Sequence, residues 1–468
     1  MDRVSQLHAQ LLPNLLASSE PYVPLRSTNK LDWFKNNGWG YRDTEFVLGN
    51  DNIVRLTGAR YSICNKRLLA FKKWAEDELG LDTNNQTPPQ AKIPAFASII
   101  NQAFLDDLKA SLDTHAEFSL DDGQRIHHSH GHTLQEIYAL RHGQFPRIVD
   151  LVIFVSSHEQ VEKLVPLLVK HNVVTIPYGG GTNVTQALLC NSEEKRMIVS
   201  LDTTRMNHVK WVDRRNLMAC VESGILGQDL EKELNRYGLV CGHEPDSVEF
   251  SSLGGWISTR ASGMKKNRYG NIDDILINVK IVTPQGVFTK GQDCPRVSSG
   301  PDLNEFVLGS EGILGVITEA VIKVRPMPKT KVFDSLIFYD FDLGTSFMND
   351  VSNSKVLPAS IRLIDNIQFQ FGLALKPEVE SKGDEIIDKI KKYFVTKVKG
   401  FEPRKMAVVT LLFEGTEEEV RYQQNSVYKF AKQYKGMRAG KFQIFLEIRC
   451  FFRKSRVFFL NWKKTRFF

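Results

Sequence analysis

Several absences limit what this chain of 468 residues can be. Its six cysteines are scattered and form no Cys-x-x-Cys pair, which argues against a zinc ribbon or a disulfide framework and favours a reducing compartment. No apolar run approaches the length that spans a bilayer, so any membrane contact is expected to be peripheral. The formal net charge of +7 is not gathered into a basic stripe, and nucleic acid is therefore not an expected partner.

No Gly-x-Gly-x-x-Gly opens a helix after the first strand of the central region, which disfavours a nicotinamide dehydrogenase. Instead the pattern predicts a mixture of strands and helices. The strands are expected at residues 148–155, 197–201, 208–212 and 218–221, and the helices at 101–116, 158–171 and 228–237. This order predicts an α+β domain. With 42% hydrophobic residues, a chain of this length can form two or three domains.

The most informative stretch is residues 177–184, Pro-Tyr-Gly-Gly-Gly-Thr-Asn-Val, which follows a β-branched strand at 173–176. Three successive glycines allow positive φ angles and leave no Cβ atom in the way of a ligand. Backbone N–H groups can then point at one oxyanion, which is how many chains hold a phosphate or diphosphate. A tight turn that merely needs glycine is the alternative.

Two later stretches have the same character. Residues 243–271 combine Gly254-Gly255 with short hydroxyl side chains and with basic side chains, an inventory that suits a diphosphate and a polar ring edge. Residues 308–319 (Leu-Gly-Ser-Glu-Gly-Ile-Leu-Gly-Val-Ile-Thr-Glu) lead from a loop into a strand, with glycines where a ligand could lie against the backbone. We predict that all three stretches converge on one elongated cleft.

Residues 127–132 contain four histidines in six positions, which raises the question of a metal site. No helical His-x-x-x-His spacing with a carboxylate partner follows the run. The sequence therefore predicts no metal here.

Together the three glycine-bearing stretches resemble the FAD-binding domain of the vanillyl-alcohol-oxidase or PCMH-type flavoprotein superfamily. Three segments narrow the match, because they resemble the alkyldihydroxyacetonephosphate synthase family: His-Glu-Pro-Asp-Ser at 243–247, Trp-Ile-Ser-Thr-Arg-Ala-Ser-Gly-Met-Lys-Lys-Asn at 256–267, and Pro-Ala-Ser-Ile-Arg-Leu-Ile-Asp-Asn at 358–366. The resemblance extends from residue 31 to residue 440. In that family the His-Gly-His segment is not a metal site.

The resemblance implies an α+β fold with a PCMH-type, two-lobed FAD-binding domain at residues 145–328. A targeting segment (1–30) and a helical region (31–144) precede this domain, and a partial α+β substrate or cap domain follows at 329–440. Residues 441–468 would form an unrelated tail. Within the cap domain we predict strands at 333–338 and 406–413 and helices at 383–393 and 417–433.

The family's reaction forms the ether bond of ether lipids. The resemblance implies that the acyl chain of acyl-dihydroxyacetone phosphate is exchanged for a long-chain fatty alcohol, with release of a fatty acid. FAD would act without net redox change: its N5 captures the substrate carbon, and the alcohol then displaces it. Such a reaction needs a rigidly held flavin, a cationic phosphate site and an apolar tunnel. Because Thr182 follows the glycine run, and not the histidine that tethers FAD in several superfamily members, we expect FAD to bind non-covalently.

By motif, the resemblance implies that three groups of residues bind the cofactor. The first group is Tyr178, Gly179, Gly180, Gly181, Thr182, Asn183 and Val184. The second is Asp246, Ser247, Val248, Glu249, Phe250, Ser251, Ser252, Thr259, Arg260, Ala261 and Ser262. The third is Glu311, Gly312, Ile313, Leu314, Gly315, Val316 and Ile317. Arg362 matches an arginine that the family needs for activity and is predicted to fix the flavin or the substrate; a structural salt bridge is its alternative role.

The first residues of the chain match the pattern of a known targeting signal. Arg3-Val4, five residues and Gln10-Leu11 fit a type-2 peroxisomal targeting signal, although an ordinary amphipathic helix start fits as well. The resemblance favours the signal, so we expect a peroxisomal protein that associates peripherally with the lumenal side of the membrane. It also implies a homodimer, with acyl-dihydroxyacetone phosphate and a fatty alcohol as small-molecule partners.

After Gly440 the resemblance stops. Residues 441–468 hold eight phenylalanines, eight basic residues and a single acid, Glu447, in neither helical nor alternating order. The family's phosphate-binding arginine, catalytic tyrosine and histidine cluster have no counterpart there. Two functions stay open: an alkyl-transferring flavoenzyme, or a truncated flavoprotein that binds FAD without catalysis.

For the chain as it stands we expect no useful alkyl transfer, weakened FAD affinity, and a cap sheet with an unpaired edge and an open cleft. A flavin oxidase or 2-hydroxy-acid dehydrogenase of the same superfamily is disfavoured by the family-specific segments.

Overall fold

The computed structural model describes residues 40–85, 97–111, 117–378 and 393–440, together with Ile386 and Ile390. All of these residues belong to one compact unit that begins at residue 35. The targeting signal predicted at residues 3–11, most of the helix predicted at 383–393 and the tail at 441–468 lie outside the described residues. In the described part, no helix is both long enough and apolar enough to cross a bilayer.

A small module opens the described chain. Its elements are β1 (Phe46–Leu48), β2 (Val54–Leu56), β3 (Arg67–Leu68) and α1 (Phe71–Leu79), with the strands paired in the order β1-β2-β3. Helix α1 buries Phe71, Trp74 and Ala75. The region before the FAD-binding domain therefore contains a three-stranded sheet as well as the helices expected there. A turn between β1 and β2, with Asn52 at a φ of +61°, closes a hairpin whose strands of three residues are too short to show an alternating pattern.

The first lobe of the central domain contains a four-stranded sheet in the order β4-β5-β7-β6. Its elements are α2 (Gln102–Ser111), β4 (Glu117–Ser119), α3 (Asp122–His127), α4 (Leu134–His142), β5 (Leu151–Phe154), α5 (His158–Lys170), β6 (Val174–Tyr178) and β7 (Ile198–Asp202). β5 and β6 both pair with β7 in parallel, whereas β4 is antiparallel to β5. Since β4 and α2 precede residue 145 and share this lobe's core, the lobe begins before the predicted boundary.

Local sequence explains why α5 forms where it does. Ser157 caps its first turn by accepting a hydrogen bond from the backbone N–H of Gln160. Val161, Leu164 and Leu168 recur at helical spacing and are buried against β5 and β7. The predicted strand–helix–strand unit that ends in the glycine run is thereby confirmed.

The second lobe is built on a five-stranded sheet in the order β12-β11-β13-β9-β8, with β10 and β14 as a separate pair. Its elements are β8 (Val209–Asp213), β9 (Met218–Glu222), α6 (Gly227–Arg236), β10 (Leu239–Val240), α7 (Leu253–Ser258), α8 (Lys266–Tyr269), α9 (Ile272–Ile275), β11 (Leu276–Thr283), β12 (Gly286–Phe288), α10 (Asn304–Val307), β13 (Val316–Lys323) and β14 (Arg325–Pro326). Val282 of β11 and Val316 of β13 extend into the core of the first lobe and join the two lobes.

The cap domain follows directly, with a four-stranded antiparallel sheet in the order β16-β17-β15-β18. Its elements are β15 (Thr330–Phe338), α11 (Phe341–Asn353), β16 (Ser360–Ile364), α12 (Asn366–Ala374), a π-helical turn (Phe394–Val398), β17 (Ala407–Gly415), α13 (Glu417–Gln433) and β18 (Met437–Arg438). The strands predicted at 333–338 and 406–413 and the helix predicted at 417–433 are confirmed.

The two faces of this cap sheet have different neighbours. One face packs on α11 and α13 through a core that includes Phe347 and Val427. The opposite face packs in part on the N-terminal module, through a core that includes Phe71 and Trp74. Within the described residues β16 and β18 are the two edges of this sheet, each pairing with one strand.

Candidate functional site

The three glycine-bearing stretches meet in one cleft between the two lobes of the central domain. The cleft has a cavity volume of about 340 Å³, and Gly180, Ser251 and Gly312 all line it. The prediction that stretches far apart in sequence converge on one elongated site is confirmed. Such a volume lies within the range for cofactor and ligand pockets.

The glycine run leaves β6 in a conformation that only glycine permits at two positions. A Cβ atom on Gly180 would collide with the backbone carbonyl of Phe250, and Gly181 has a φ of +61°. Among the described residues, no acceptor takes a hydrogen bond from the backbone N–H groups of residues 179–184. A row of free N–H donors at the mouth of a cleft fits the diphosphate of FAD.

The histidine-rich segment, residues 127–132, contacts Tyr178 and the glycine run that follows it. The backbone N–H of His132 donates to the carbonyl of Asn183 at 2.7 Å, and the ring of His128 lies 4.2 Å from that of Tyr178. His128 Nε2 and Asp202 Oδ2 are 2.8 Å apart, and both side chains are fully buried. Desolvation and neighbouring imidazoles lower the pKa values of the other histidines, His127, His130 and His132. Among the described residues, no three His, Cys, Asp or Glu side chains are placed so that they could hold a metal ion together.

Helix α7 presents the second stretch to the cleft. Ser252 caps the helix, its Oγ accepting from the N–H of Gly255 at 3.2 Å. Ser251 Oγ donates to the carbonyl of Ser247 and accepts from Trp256 Nε1 at 2.7 Å. These two hydroxyls therefore fix the shape of the cleft wall through bonds within the protein.

Most of the predicted cofactor-binding residues line the cleft. Those that do are Tyr178, Gly179, Gly180, Gly181, Thr182, Asn183, Val184, Ser247, Ser251, Ser252, Thr259, Ala261, Glu311, Gly312, Gly315, Val316 and Ile317. Those that do not are Asp246, Val248, Glu249, Phe250, Arg260, Ser262, Ile313 and Leu314, and the arginine predicted to be needed for activity, Arg362, does not line it either.

Several of the residues that do not line the cleft have other partners. Arg260 forms an ion pair with Asp273 at 3.3 Å, and Ser262 donates to Asn271 at 2.8 Å. Ile313 is 85% exposed on the rim. Arg260 and Ser262 have the charge and the hydroxyl that a diphosphate site needs. Arg260, however, lies in the turn after α7 with a φ of +47°, and this backbone conformation could not be predicted from composition.

Glu249 and Phe250 contact the N-terminal module. Glu249 Oε1 accepts a hydrogen bond from Tyr61 at 3.1 Å, and the ring of Phe250 lies 5.2 Å from that of Tyr41. These contacts join the module to the segment that precedes α7.

Several cleft residues were missed by sequence reasoning. They are Thr185, Ala187, Leu188, Thr203 and Ser223, all outside the three glycine-bearing stretches. Pro177, Pro245, Gly254, Gly255, Trp256 and Ser258 lie within those stretches and also line the cleft. Thr203 and Ser223 each follow the last residue of a strand, β7 and β9 respectively. Ligands gather at the carboxyl ends of parallel strands in open sheets, so a small polar residue just after β7 was the available signal for Thr203. For Ser223 this signal is absent, because β9 is antiparallel to both of its neighbours.

Arg362 projects from β16 of the cap domain toward the central domain. Its Nη2 lies 3.2 Å from Asp246 Oδ1, and both side chains are substantially exposed, by 41% and 66%. Asp246 stands between Pro245 and Ser247, both of which line the cleft. The salt bridge that was the alternative role for Arg362 is therefore present, at the edge of the cleft.

Comparison with known proteins identifies the family. The profile of the FAD binding domain matches residues 149–291, and that of the C-terminal domain of FAD linked oxidases matches residues 327–447. Alkyldihydroxyacetonephosphate synthase of Caenorhabditis elegans is 40% identical over 420 residues, which cover 89% of this chain and 70% of the relative. The chain belongs to the alkyldihydroxyacetonephosphate synthase family.

Further relatives agree with this assignment. The synthases of Dictyostelium discoideum and Trypanosoma brucei brucei are 36% and 33% identical over 74% and 86% of this chain. The chain spans 54% and 65% of the lengths of these two relatives. A solved structure of alkyldihydroxyacetonephosphate synthase superposes with a TM-score of 0.83 at 31% identity, covering 94% of this chain and 79% of that one. The PCMH-type fold and FAD as cofactor follow from these matches.

Proposed function

We propose that this protein acts in ether-lipid synthesis, exchanging the acyl chain of 1-acyl-dihydroxyacetone phosphate for a long-chain fatty alcohol to give 1-alkyl-dihydroxyacetone phosphate and a fatty acid. Membership of the synthase family supports the reaction class. One observation of the structure carries the proposal: the cap-domain arginine, Arg362, stands at the edge of the cleft that is lined by the free N–H row at residues 179–184. A cofactor diphosphate and an anionic substrate can thus be held side by side.

The chain's own residues have separable tasks in this proposal. The glycine run and the residues of α7 that line the cleft bind and orient FAD. The walls of the cleft exclude water from the reacting face of the flavin. Arg362 supplies a fixed positive charge on the substrate side. When bound, FAD supplies the nucleophilic nitrogen that the exchange requires, without net oxidation or reduction.

The setting of the reaction is also part of the proposal. We infer that the protein works in the peroxisome, peripherally attached to the lumenal side of the membrane and as a homodimer. The resemblance of residues 3–11 to a type-2 targeting signal supports the location. Long-chain substrates that reside in membranes support the attachment.

The test is alkyl transfer by the purified full chain reconstituted with FAD. Acyl-dihydroxyacetone phosphate and labelled hexadecanol are supplied, and labelled alkyl-dihydroxyacetone phosphate is measured together with the fatty acid released. A chain with the proposed activity should release one fatty acid per ether formed, consume no oxygen and form no product without FAD.

Two other outcomes would assign a different function. A chain that binds FAD stoichiometrically but forms no ether would be the non-catalytic flavoprotein foreseen from the sequence. Reduction of the bound FAD by lactate or glycolate would place the chain with the oxidases and dehydrogenases of the superfamily.

A further inference from the structure

The N-terminal module contacts the segment that forms one wall of the cofactor cleft. Tyr61, in the loop between β2 and β3, donates a hydrogen bond from Oη to Glu249, with distances of 3.1 Å to Oε1 and 3.4 Å to Oε2. The rings of Tyr41 and Phe250 lie 5.2 Å apart, and both side chains are buried. Two contacts of different chemistry, one polar and one aromatic, therefore join the module to adjacent residues of this segment.

The segment from Ser247 to Ser252 has two sides. Its three serines line the cleft, whereas Glu249 and Phe250 do not. A turn produces this division, because the backbone N–H groups of Phe250 and Ser251 both donate to the carbonyl of Ser247, at 2.8 and 2.7 Å. The serines at the cleft and the pair at the module thus belong to one hydrogen-bonded turn, and a shift of one side moves the other.

The same turn packs directly on the glycine run. A Cβ atom on Gly180 would lie 1.9 Å from the carbonyl oxygen of Phe250, and one on Gly179 would lie 2.2 Å from Ser252 Oγ. The turn and the glycine run are therefore in contact, with no room between them. Because Phe250 contacts Tyr41 through its ring and the glycine run through its carbonyl group, its position determines the spacing of the two walls that hold the cofactor.

The module is itself anchored on the cap domain. The rings of Phe71 and Trp74, on α1, lie 6.0 and 5.0 Å from the ring of Phe371 on α12. Arg67 of β3 forms an ion pair with Glu378 at 2.7 Å. The cofactor wall is therefore attached, through the module, to the cap domain as well as to its own lobe.

We propose that Tyr61 and Tyr41 are positioning residues for FAD, which hold the turn at residues 247–252 against the glycine run in the conformation that binds the cofactor. Neither tyrosine lines the cleft, so each acts through its partner, Glu249 or Phe250. Loss of either contact lets the turn adopt other positions, and the affinity for FAD falls with the fraction of molecules that keep the binding conformation. The inference rests on FAD as the cofactor and not on the identity of the substrate, so it is independent of the proposed function.

The test is the Kd of FAD for the flavin-free full chain, measured by titration of flavin fluorescence. Tyr61→Phe keeps the ring and removes the hydroxyl, and we expect it to raise Kd about fivefold, as for loss of one hydrogen bond of ordinary strength. Tyr41→Leu removes the ring contact with Phe250 and should raise Kd to a similar extent. Tyr434→Phe is the matched control and should leave Kd unchanged. The hydroxyl of Tyr434 also donates to a carboxylate, that of Asp350 at 2.5 Å, but it does so between the end of α13 and α11, which do not line the cleft.

A double-mutant cycle on FAD binding separates positioning from direct contact with the flavin. Glu249→Gln keeps an acceptor for the Tyr61 hydroxyl and should bind FAD within about twofold of the wild type, whereas Glu249→Ala should match Tyr61→Phe. The double variant should bind FAD no more weakly than either single variant, because both substitutions remove the same hydrogen bond. Additive losses would mean that Glu249 touches the flavin itself and would overturn the positioning role.

The stability of the flavin-free chain completes the test. Tyr61→Phe and Tyr434→Phe should lower the free energy of unfolding in urea to a similar extent, so that the difference in FAD affinity between them reports positioning and not general loosening of the fold. An equal rise of Kd in the two variants would overturn the proposal. An unchanged Kd in Tyr61→Phe or in Tyr41→Leu would remove that residue from it.

Discussion

At the scale of single residues, close backbone approach decides what the cleft can hold. Gly180 lies so near the Phe250 carbonyl that a side chain there has no room, whereas Gly400 has a positive φ of +73° and open space around it. The first glycine is required by packing between two segments of the cleft, and the second only by the local turn. Substitutions at the two positions should therefore have different consequences.

Gly180→Ala should abolish FAD binding, because the new methyl group must push the glycine run away from residues 250–251 and misplace the free N–H donors. Gly400→Ala should cost about 1 kcal/mol of backbone strain and leave FAD binding intact. The measurement is flavin absorbance retained per mole of each purified protein after gel filtration. Full flavin content in Gly180→Ala would show that the run does not hold the cofactor.

His243 is a second residue whose environment has a measurable consequence, the dependence of stability on pH. Its side chain is fully buried beside Trp256, with ring centroids 4.9 Å apart, and burial lowers its pKa to about 4. Within the described residues neither ring nitrogen has a hydrogen-bond partner. The unfolded chain takes up this proton near pH 6.5 but the folded chain does not, so stability is complete above pH 6.5 and is lost as the pH falls toward 4.

We expect acidification from pH 6.5 to 4 to cost about 3 kcal/mol through His243 alone. The measurement is the free energy of unfolding in urea at several pH values, for the wild type and for His243→Gln. The variant should be less stable at neutral pH but should lose less stability on acidification. Parallel pH curves for the two proteins would assign the acid sensitivity to other groups.

The limits of sequence reasoning are clearest at this scale. Tyr178 and the glycines after it could be predicted, because the glycine run follows a strand and because the three glycine-bearing stretches together resemble a FAD-binding domain. Thr203 and Ser223 could not be chosen from composition, because only the packing of β6 against β7, and of β9 against β13, brings them to the cleft. Arg260 carries a charge of the right sign but faces Asp273, because the turn after α7 directs it away.

At the scale of elements, strand β17 links the cap to the central domain through a buried carboxylate. Glu414 is 1% exposed, and Lys265, Lys331 and Tyr269 surround it. Burial opposes ionisation of Glu414, but Lys265 and these other partners outweigh it and lower the carboxyl pKa. Its contribution to stability is therefore present above the ordinary pKa of glutamate and is lost as the pH falls below it.

Glu414→Gln should destabilise the protein by about 3 kcal/mol, because Lys265 is itself buried and would keep an incompletely paired charge. Glu402→Gln is a suitable control, since the exposed pair of Glu402 with Lys405 should contribute less than about 1 kcal/mol. Both values come from urea denaturation at neutral pH. Equal losses of stability in the two variants would contradict a central role for Glu414 in the domain contact.

Elements with complete local signals were predictable, and those formed by tertiary packing were not. Helix α13 begins at a capping box of Thr416 and Glu419 and could be located from the sequence. Helix α7 contains Gly254 and Gly255, which disfavour helix, and it forms because Leu253 and Trp256 are buried in the core of the second lobe. The strands β1 to β3 are two or three residues long and show no alternation that a pattern could detect.

At the scale of the whole molecule, the cofactor site joins two lobes that have separate sheets. Residues of the first lobe supply the glycine run, and residues of the second supply α7 and the loop before β13. A ligand that contacts both lobes binds the folded state alone and must stabilise it. Two properties of the bound cofactor can be tested: how FAD is attached, and which part of FAD the cleft recognises.

FAD should be attached without a covalent bond, because Thr182 stands where a tethering histidine would follow the glycine run. Heat denaturation of the flavin-loaded protein should therefore release all of the flavin into the supernatant as intact FAD. Chromatography of the supernatant and fluorescence of the pellet measure this. Flavin that stays with the precipitated chain would mean that another residue forms the tether.

Recognition of the diphosphate predicts an order among cofactor fragments. FAD at 100 times its Kd should raise the free energy of unfolding by about 2.7 kcal/mol. ADP, which retains the diphosphate, should stabilise the flavin-free chain more than riboflavin at equal concentration, because only ADP can accept hydrogen bonds from the free N–H groups of residues 179–184. Melting temperatures across a concentration series of each compound give the comparison, with Gly180→Ala as the control that should not respond to ADP. If riboflavin stabilised the chain as strongly as ADP, the isoalloxazine wall of the cleft would be the main source of affinity, and the glycine run would serve only to shape the turn.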